Sequence, residues 1–132
     1  MRKQSIIVAY DNCQAIAEEI ADKLGAEPVS VRALDHRMVE SAQNYILCIT
    51  LEETGQLPTL WLYGWQTLLY NNINGKGIAM LVNGADSANS WVVDNFCEDL
   101  RKNGAHIVGQ VLYAGSNQWN LDDWIASISP NL

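Results

Sequence analysis

The sequence predicts a single α/β domain, built as a doubly wound three-layer sandwich around a five-stranded parallel sheet. Three observations support this fold class. The 132 residues suit one domain. Five short apolar runs alternate with segments of helical periodicity, and turn-forming residues separate them. Because parallel strands need crossover connections, this alternation favours helices on both faces of the sheet.

The first predicted unit is a buried strand at residues 6–10, a tight turn, and a helix that ends at Gly25. Asp11 and Gln14 have the spacing of a capping box at the start of that helix. Core-facing apolar residues recur at every fourth position of the helix, namely Ile16, Ile20 and Leu24.

The later elements repeat this order. We predict the remaining strands at residues 29–34, 45–49, 78–82 and 106–113. Between them we predict a weak helix or loop at 35–43, a helix that begins near Pro58, a helix at 91–102 and a last helix capped by Asn120.

Charge and composition exclude several classes of partner. The net charge of −7 disfavours nucleic acid and anionic membranes, and it favours a basic protein partner. No apolar run reaches the roughly 20 residues of a membrane span, and the run after the basic start is too short for a signal peptide. We therefore expect a cytoplasmic protein.

The cysteines and histidines show no metal-binding pattern. Cys13, Cys48 and Cys97 are widely spaced, and neither His36 nor His106 has a partner at the spacing of a zinc site. We expect no metal. We expect Cys48 and Cys97 to be inert core residues, and the two histidines to lie at the surface or to be satisfied by hydrogen bonds.

Ligands of open parallel sheets bind beyond the carboxyl ends of the strands, where the strand order reverses. The loops at residues 11–14, 50–57 and 84–90 are predicted to meet there. The first turn lacks G-x-G-x-x-G, and no P-loop is present. A phosphoacceptor domain is also disfavoured, because Thr50 stands where the acceptor aspartate is needed and Ala114 where the lysine is needed.

Residues 50–58, which follow the buried strand at 45–49, are Thr-Leu-Glu-Glu-Thr-Gly-Gln-Leu-Pro. They are similar to the second flavin-contacting loop of the short-chain flavodoxins, a family that the chain resembles over nearly its whole length. Residues 84–87, followed by Asp-Asn-Phe-Cys at 94–97 and Asn-Gly-Ala at 103–105, resemble the third loop, fourth helix and fifth strand. The resemblance implies FMN as cofactor and electron transfer as function. The implied cofactor-binding residues are Asp11, Asn12, Cys13, Gln14, Thr50, Leu51, Glu52, Glu53, Thr54, Gly55, Gly84, Ala85, Asp86 and Ser87.

The first loop departs from the family. Flavodoxins hold the FMN phosphate in a loop rich in Ser, Thr and Gly, whereas residues 11–14 are Asp-Asn-Cys-Gln, roughly four residues shorter. A carboxylate about 5 Å from a phosphate charge costs roughly 3 kcal/mol at an effective dielectric near 20.

We therefore expect that the usual FMN phosphate site is lost and that the chain is an interaction module for a small molecule or protein. The alternative is a divergent FMN-binding flavodoxin in low-potential electron transfer. Both descriptions favour a carrier or binding module over an enzyme.

Cys13 offers a second alternative, a thiol-based activity. It lies at the predicted start of the first helix, where a thiolate is stabilised. The residues after it supply neither an anion-binding loop nor an arginine, so a small filler residue is the favoured interpretation.

The helix after Pro58 is apolar almost all round between residues 60 and 70. Such a helix is usually buried on more than one side, while a doubly wound sheet covers only one. We therefore predict a homodimer. The tryptophans Trp61, Trp65, Trp119 and Trp124 are predicted to be core or interface residues rather than flavin-stacking residues.

Overall fold

The computed structural model describes residues 6–12, 14–51, 59–83, 91–113 and 121–131. The strands are β1 (Ile6–Tyr10), β2 (Glu27–Ser30), β3 (Asn44–Thr50), β4 (Gly77–Asn83) and β5 (His106–Tyr113). The helices are α1 (Gln14–Leu24), α2 (His36–Ser41), α3 (Thr59–Leu69), α4 (Trp91–Lys102) and α5 (Leu121–Ile128), and 3₁₀ turns occupy Val31–Ala33 and Ser129–Asn131.

The five strands form one parallel sheet in the order β2-β1-β3-β4-β5, which confirms the predicted fold class. The order reverses between β1 and β3, because β2 lies on one side of β1 and every later strand lies on the other. The carboxyl ends of β1 and β3 therefore form the switch point at which ligands of such sheets bind.

Alternating strand residues face two separate cores, which explains why the strand sequences are continuously apolar. On one face, Ile7, Ala9, Leu47 and Met80 pack with residues of α2, α3 and α4. On the other face, Ile6, Val8, Ile46, Cys48 and Leu81 pack with α1 and α5.

Strand β2, at Glu27–Ser30, begins earlier and is shorter than the strand predicted at residues 29–34. Pro28 lies inside β2, where an edge strand tolerates the missing N–H. After Ser30 the chain turns into 3₁₀ geometry, because the Ser30 hydroxyl accepts the Arg32 N–H and caps the turn. The segment predicted as a weak helix or loop contains the short helix α2, which begins where the Asp35 carboxylate accepts the Met38 N–H at 2.9 Å.

Two features of the fold depend on glycine, the end of one helix and the close approach of another to a turn. Gly25 ends α1 with a φ of +66°, as the sequence predicts. Gly64 lets α3 approach the turn at Val31, because a Cβ on residue 64 would lie 2.6 Å from Val31 Cγ2.

Among the described helices, none is long and apolar enough to cross a membrane.

Candidate functional site

Asp11 is the best-defined polar group at the switch point. Strand β1 ends at Tyr10, which pairs with Cys48, so β3 continues two residues beyond its neighbour. The Asp11 side chain bends into that gap, and its Oδ2 accepts the Thr50 N–H at 3.0 Å. The carboxylate also accepts the N–H of Asn12. The side chain thus takes the place of the backbone acceptor that β1 would supply if it continued.

The start of α1 lies directly after this contact. The helix begins at Gln14, and the first amides of a helix have no partner within it. These donors and the helix dipole favour an anion at the carboxyl edge of the sheet. The Gln14 side chain donates to Glu18 Oε2 at 2.9 Å, so its amide group lies along the helix surface.

The structure describes five of the predicted cofactor-binding residues and brings them to one edge. Asp11 and Thr50 are half-buried, Asn12 and Gln14 are exposed, and the Leu51 side chain is buried in the core beneath α3. Only the backbone of Leu51 is therefore placed to contact a ligand. Nine predicted residues lie outside the described residues: Cys13, Glu52, Glu53, Thr54, Gly55, Gly84, Ala85, Asp86 and Ser87.

An aromatic cluster lies between α3 and α4, where the sequence predicts core or interface residues. The Trp65 ring stacks on Phe96, with centroids 4.6 Å apart and planes 22° apart. Trp61 packs against the same ring and is fully buried. Within the described part of the chain, the Trp61 Nε1–H has no hydrogen-bond partner. Trp61 is therefore a core residue as predicted, and Trp65 is half-buried beside it.

A polar cluster at the opposite, amino edge of the sheet was not anticipated. The Lys76 ammonium donates to Val39 O at 2.7 Å, to Glu40 O at 2.9 Å and to Tyr45 Oη at 3.4 Å. The Tyr45 hydroxyl donates to Val39 O. Burial lowers the pKa of Lys76 and raises that of Tyr45. All three ammonium hydrogens are used, so the cluster closes the end of α2 and leaves no donor for a ligand.

The described cysteines and histidines lie where the sequence predicts. Cys48 and Cys97 are buried, and burial raises the pKa of Cys97 to about 11. His36 and His106 are exposed. No group of three metal-ligating side chains occurs among the residues that the structure describes.

No protein-family profile matches the sequence, and no curated protein matches it. The fold, by contrast, matches solved flavodoxins over nearly their full length. Flavodoxin 1 from Bacillus cereus is 20% identical with a TM-score of 0.72, over 97% of this chain and 99% of that one. The flavodoxin from Streptococcus pneumonia TIGR4 is 19% identical with a TM-score of 0.76, over 97% and 99% of the two chains.

A third similar structure is the Fusobacterium nucleatum flavodoxin, solved bound to flavin mononucleotide. It is 17% identical to this chain, with a TM-score of 0.76 over 98% of this chain and 99% of that one. The sheet order and these matches together show that the chain has the flavodoxin-like fold.

Proposed function

We propose that this chain binds FMN at the carboxyl edge of its sheet and works as a flavodoxin-type electron carrier. The carrying observation is the switch point, where the start of α1 follows the end of β1 beside Thr50 in a fold that matches flavodoxins throughout. Bound FMN would supply the electron chemistry, and the protein would hold and tune it. The expected loss of the phosphate site finds no support in the similarity to these structures, so the alternative named from the sequence becomes the main proposal.

The residues present fit FMN in part. The first amides of α1 favour a phosphate dianion, and the backbone at Thr50 and Leu51 lies at the edge where a ring system would rest. Asp11 opposes the phosphate charge, but its carboxylate is already engaged with the N–H groups of Thr50 and Asn12. The affinity for FMN would therefore be lower than that of a site with no carboxylate beside the phosphate.

The test is an FMN titration of the purified protein, in which binding is measured by flavin fluorescence and by thermal unfolding. We expect saturable quenching and a rise in unfolding free energy of about 2.7 kcal/mol at 100 times the dissociation constant. Riboflavin is the matched control ligand, because it carries the same ring without the phosphate. If neither flavin quenches nor raises the unfolding temperature of the folded protein, the proposal is wrong.

A second candidate is a binding module that uses the same edge without a flavin phosphate. The observation that favours it is the Asp11 carboxylate itself, which satisfies two edge N–H groups from within the chain. The net charge of −7 would favour a basic protein partner. Salt-sensitive binding of a basic probe protein, lost in Asp11→Asn and unaffected by FMN, would favour this candidate over the first.

A further inference from the structure

Helix α3 has an outer face that no described part of the chain covers. Leu62 is 48% exposed, Tyr63 is 51% exposed and Tyr70, directly after the helix, is 83% exposed. Leu62, Gln66 and Tyr70 follow one another at the spacing of one helix face. The side chains of Leu62, Tyr63 and Tyr70 together expose on the order of 350 Å². An apolar patch of this size is often functional in a monomer.

This face is also free of charge. Helix α3 is the one helix in the described part of the chain without a charged side chain, although the protein carries 23 charged residues and a net charge of −7. Two copies of so acidic a protein repel each other through most orientations. The α3 face is where they can meet without opposing like charges, whereas a basic partner would prefer the acidic surfaces.

The flanks of α3 differ in their exposed charges, and the Asp35 carboxylate between the two arginines of the first flank caps α2. On one side, α3 contacts the turn Val31–Ala33 and α2, whose exposed Arg32 and Arg37 are basic. Glu40, at the far end of α2, lies near the Lys76 ammonium. On the other side α3 contacts α4, where Asp99 lies three residues after Phe96 and so on the side that faces α3.

We propose that the α3 face is the interface of a homodimer in which the two α3 helices run parallel. A twofold axis parallel to α3 brings the Arg32 flank of each copy over the Asp99 flank of the other. A twofold axis perpendicular to α3 would instead oppose like flanks. The apolar patch supplies about half of the roughly 800 Å² per partner that stable complexes bury, so the flanks must complete the interface. The dimer does not depend on flavin binding.

The first test is the mass in solution, measured by sedimentation equilibrium between about 5 and 300 μM protein. We expect a concentration-dependent rise from 14.7 kDa toward twice that mass. Tyr70→Glu and Tyr63→Glu should remain monomeric, because each places a carboxylate in the apolar face. The matched control is Ala126→Glu, at an exposed position of α5 on the opposite face of the sheet, which should dimerise like the native chain.

A charge swap tests the orientation. Arg32→Glu should weaken the dimer about tenfold, and Arg32→Glu with Asp99→Arg should restore it to within threefold. Circular dichroism of each variant confirms that it is folded. A monomer at every concentration, or a dimer that survives Tyr70→Glu, overturns the proposed interface. A swap that fails to restore association overturns the parallel arrangement.

Discussion

Asp11 shows how one side chain can replace a piece of a strand. Beyond Tyr10 the backbone of β1 leaves the sheet, and the Thr50 N–H would lose its acceptor without the Asp11 carboxylate at 3.0 Å. A fully buried donor left unpaired costs about 1–3 kcal/mol, so this part-buried contact stabilises the edge of the sheet by less than that. Under the proposed function, it also places a negative charge close to the FMN phosphate.

Asp11→Asn separates these two effects. The asparagine oxygen can still accept the Thr50 N–H, while the negative charge is gone. We expect the affinity for FMN to rise about tenfold, equivalent to about 1.4 kcal/mol, and the affinity for riboflavin to stay nearly constant. Fluorescence titration measures both. Asp22→Asn, an exposed change of the same charge on α1, is the control, and equal gains for both flavins would contradict the electrostatic explanation.

Cys97 should make stability depend on alkaline pH. Burial raises its pKa to about 11 from an ordinary value of 9.0, so the unfolded chain loses the thiol proton first. The stabilisation is therefore fully present below pH 9 and is lost as the pH rises to 11, by on the order of 2 kcal/mol. Urea unfolding of the native chain and of Cys97→Ala at several pH values measures the difference.

The control for Cys97 is Val93→Ala, a core deletion on the same helix without a titrating group. Val93→Ala should lower the free energy of unfolding, relative to that of the native chain, by a similar amount at every pH. If the native chain and Cys97→Ala lose stability in parallel between pH 9 and 11, the thiol is not responsible.

Local residues were predictable where the cause is local. The burial of Cys97 and the exposure of His106 follow from their places in a periodic helix and at the start of a strand. The bond between Asp11 and Thr50 could not be predicted, because 39 residues separate the two and only the strand pairing brings them together. The same holds for Lys76 and Val39, which are 37 residues apart.

At the scale of elements, the position of α3 depends on Gly64, whose lack of a side chain lets the helix lie close to Val31. Val31 is fully buried against Gly64, and a Cβ at residue 64 would lie 2.6 Å from Val31 Cγ2 and 3.0 Å from the Trp61 ring. Valine is stiff at χ1, so it cannot rotate away easily. The sequence indicates an apolar helix here, but it does not show that the helix lies this close to the turn.

Gly64→Ala should therefore destabilise the protein despite the better helix propensity of alanine. Propensity favours alanine by about 1 kcal/mol, and overpacking costs about 1–3 kcal/mol, so we expect a net loss near 1 kcal/mol. Gln66→Ala, exposed on the same helix, should change stability by less than about 0.5 kcal/mol. Urea denaturation measures both, and Gly64→Ala combined with Val31→Ala should cost less than the two changes summed.

At the scale of the whole molecule, alternating patterns were enough to predict the five-stranded parallel sheet, its helical layers and the edge at which Asp11 and Thr50 meet. Element ends were less predictable, since β2 gives way to a 3₁₀ turn once Ser30 caps it. The flavin-contacting roles of residues 52–55 and 84–87 stay predictions, because those residues lie outside the described ranges.

The net charge of −7 gives a last prediction for the whole chain. Among the described residues, ion pairs join Lys23 with Asp122 at 2.7 Å and Arg101 with Glu98 at 3.9 Å. Because 15 acidic side chains face only 8 basic ones in the whole chain, the excess negative charge repels itself. Raising NaCl from about 20 to 300 mM shortens the screening length well below 10 Å and should stabilise the monomer by roughly 0.5–1 kcal/mol. Urea unfolding of Tyr70→Glu at fixed protein concentration measures this without a contribution from association.

Two exposed glutamates provide the control for this salt effect. Glu19→Lys with Glu27→Lys lowers the net negative charge by four, so the gain in stability with salt should shrink. Glu19→Asp with Glu27→Asp keeps the charge and should keep the full gain. If salt lowers stability in all three proteins, the paired charges outweigh the self-repulsion and the electrostatic account of this fold is wrong.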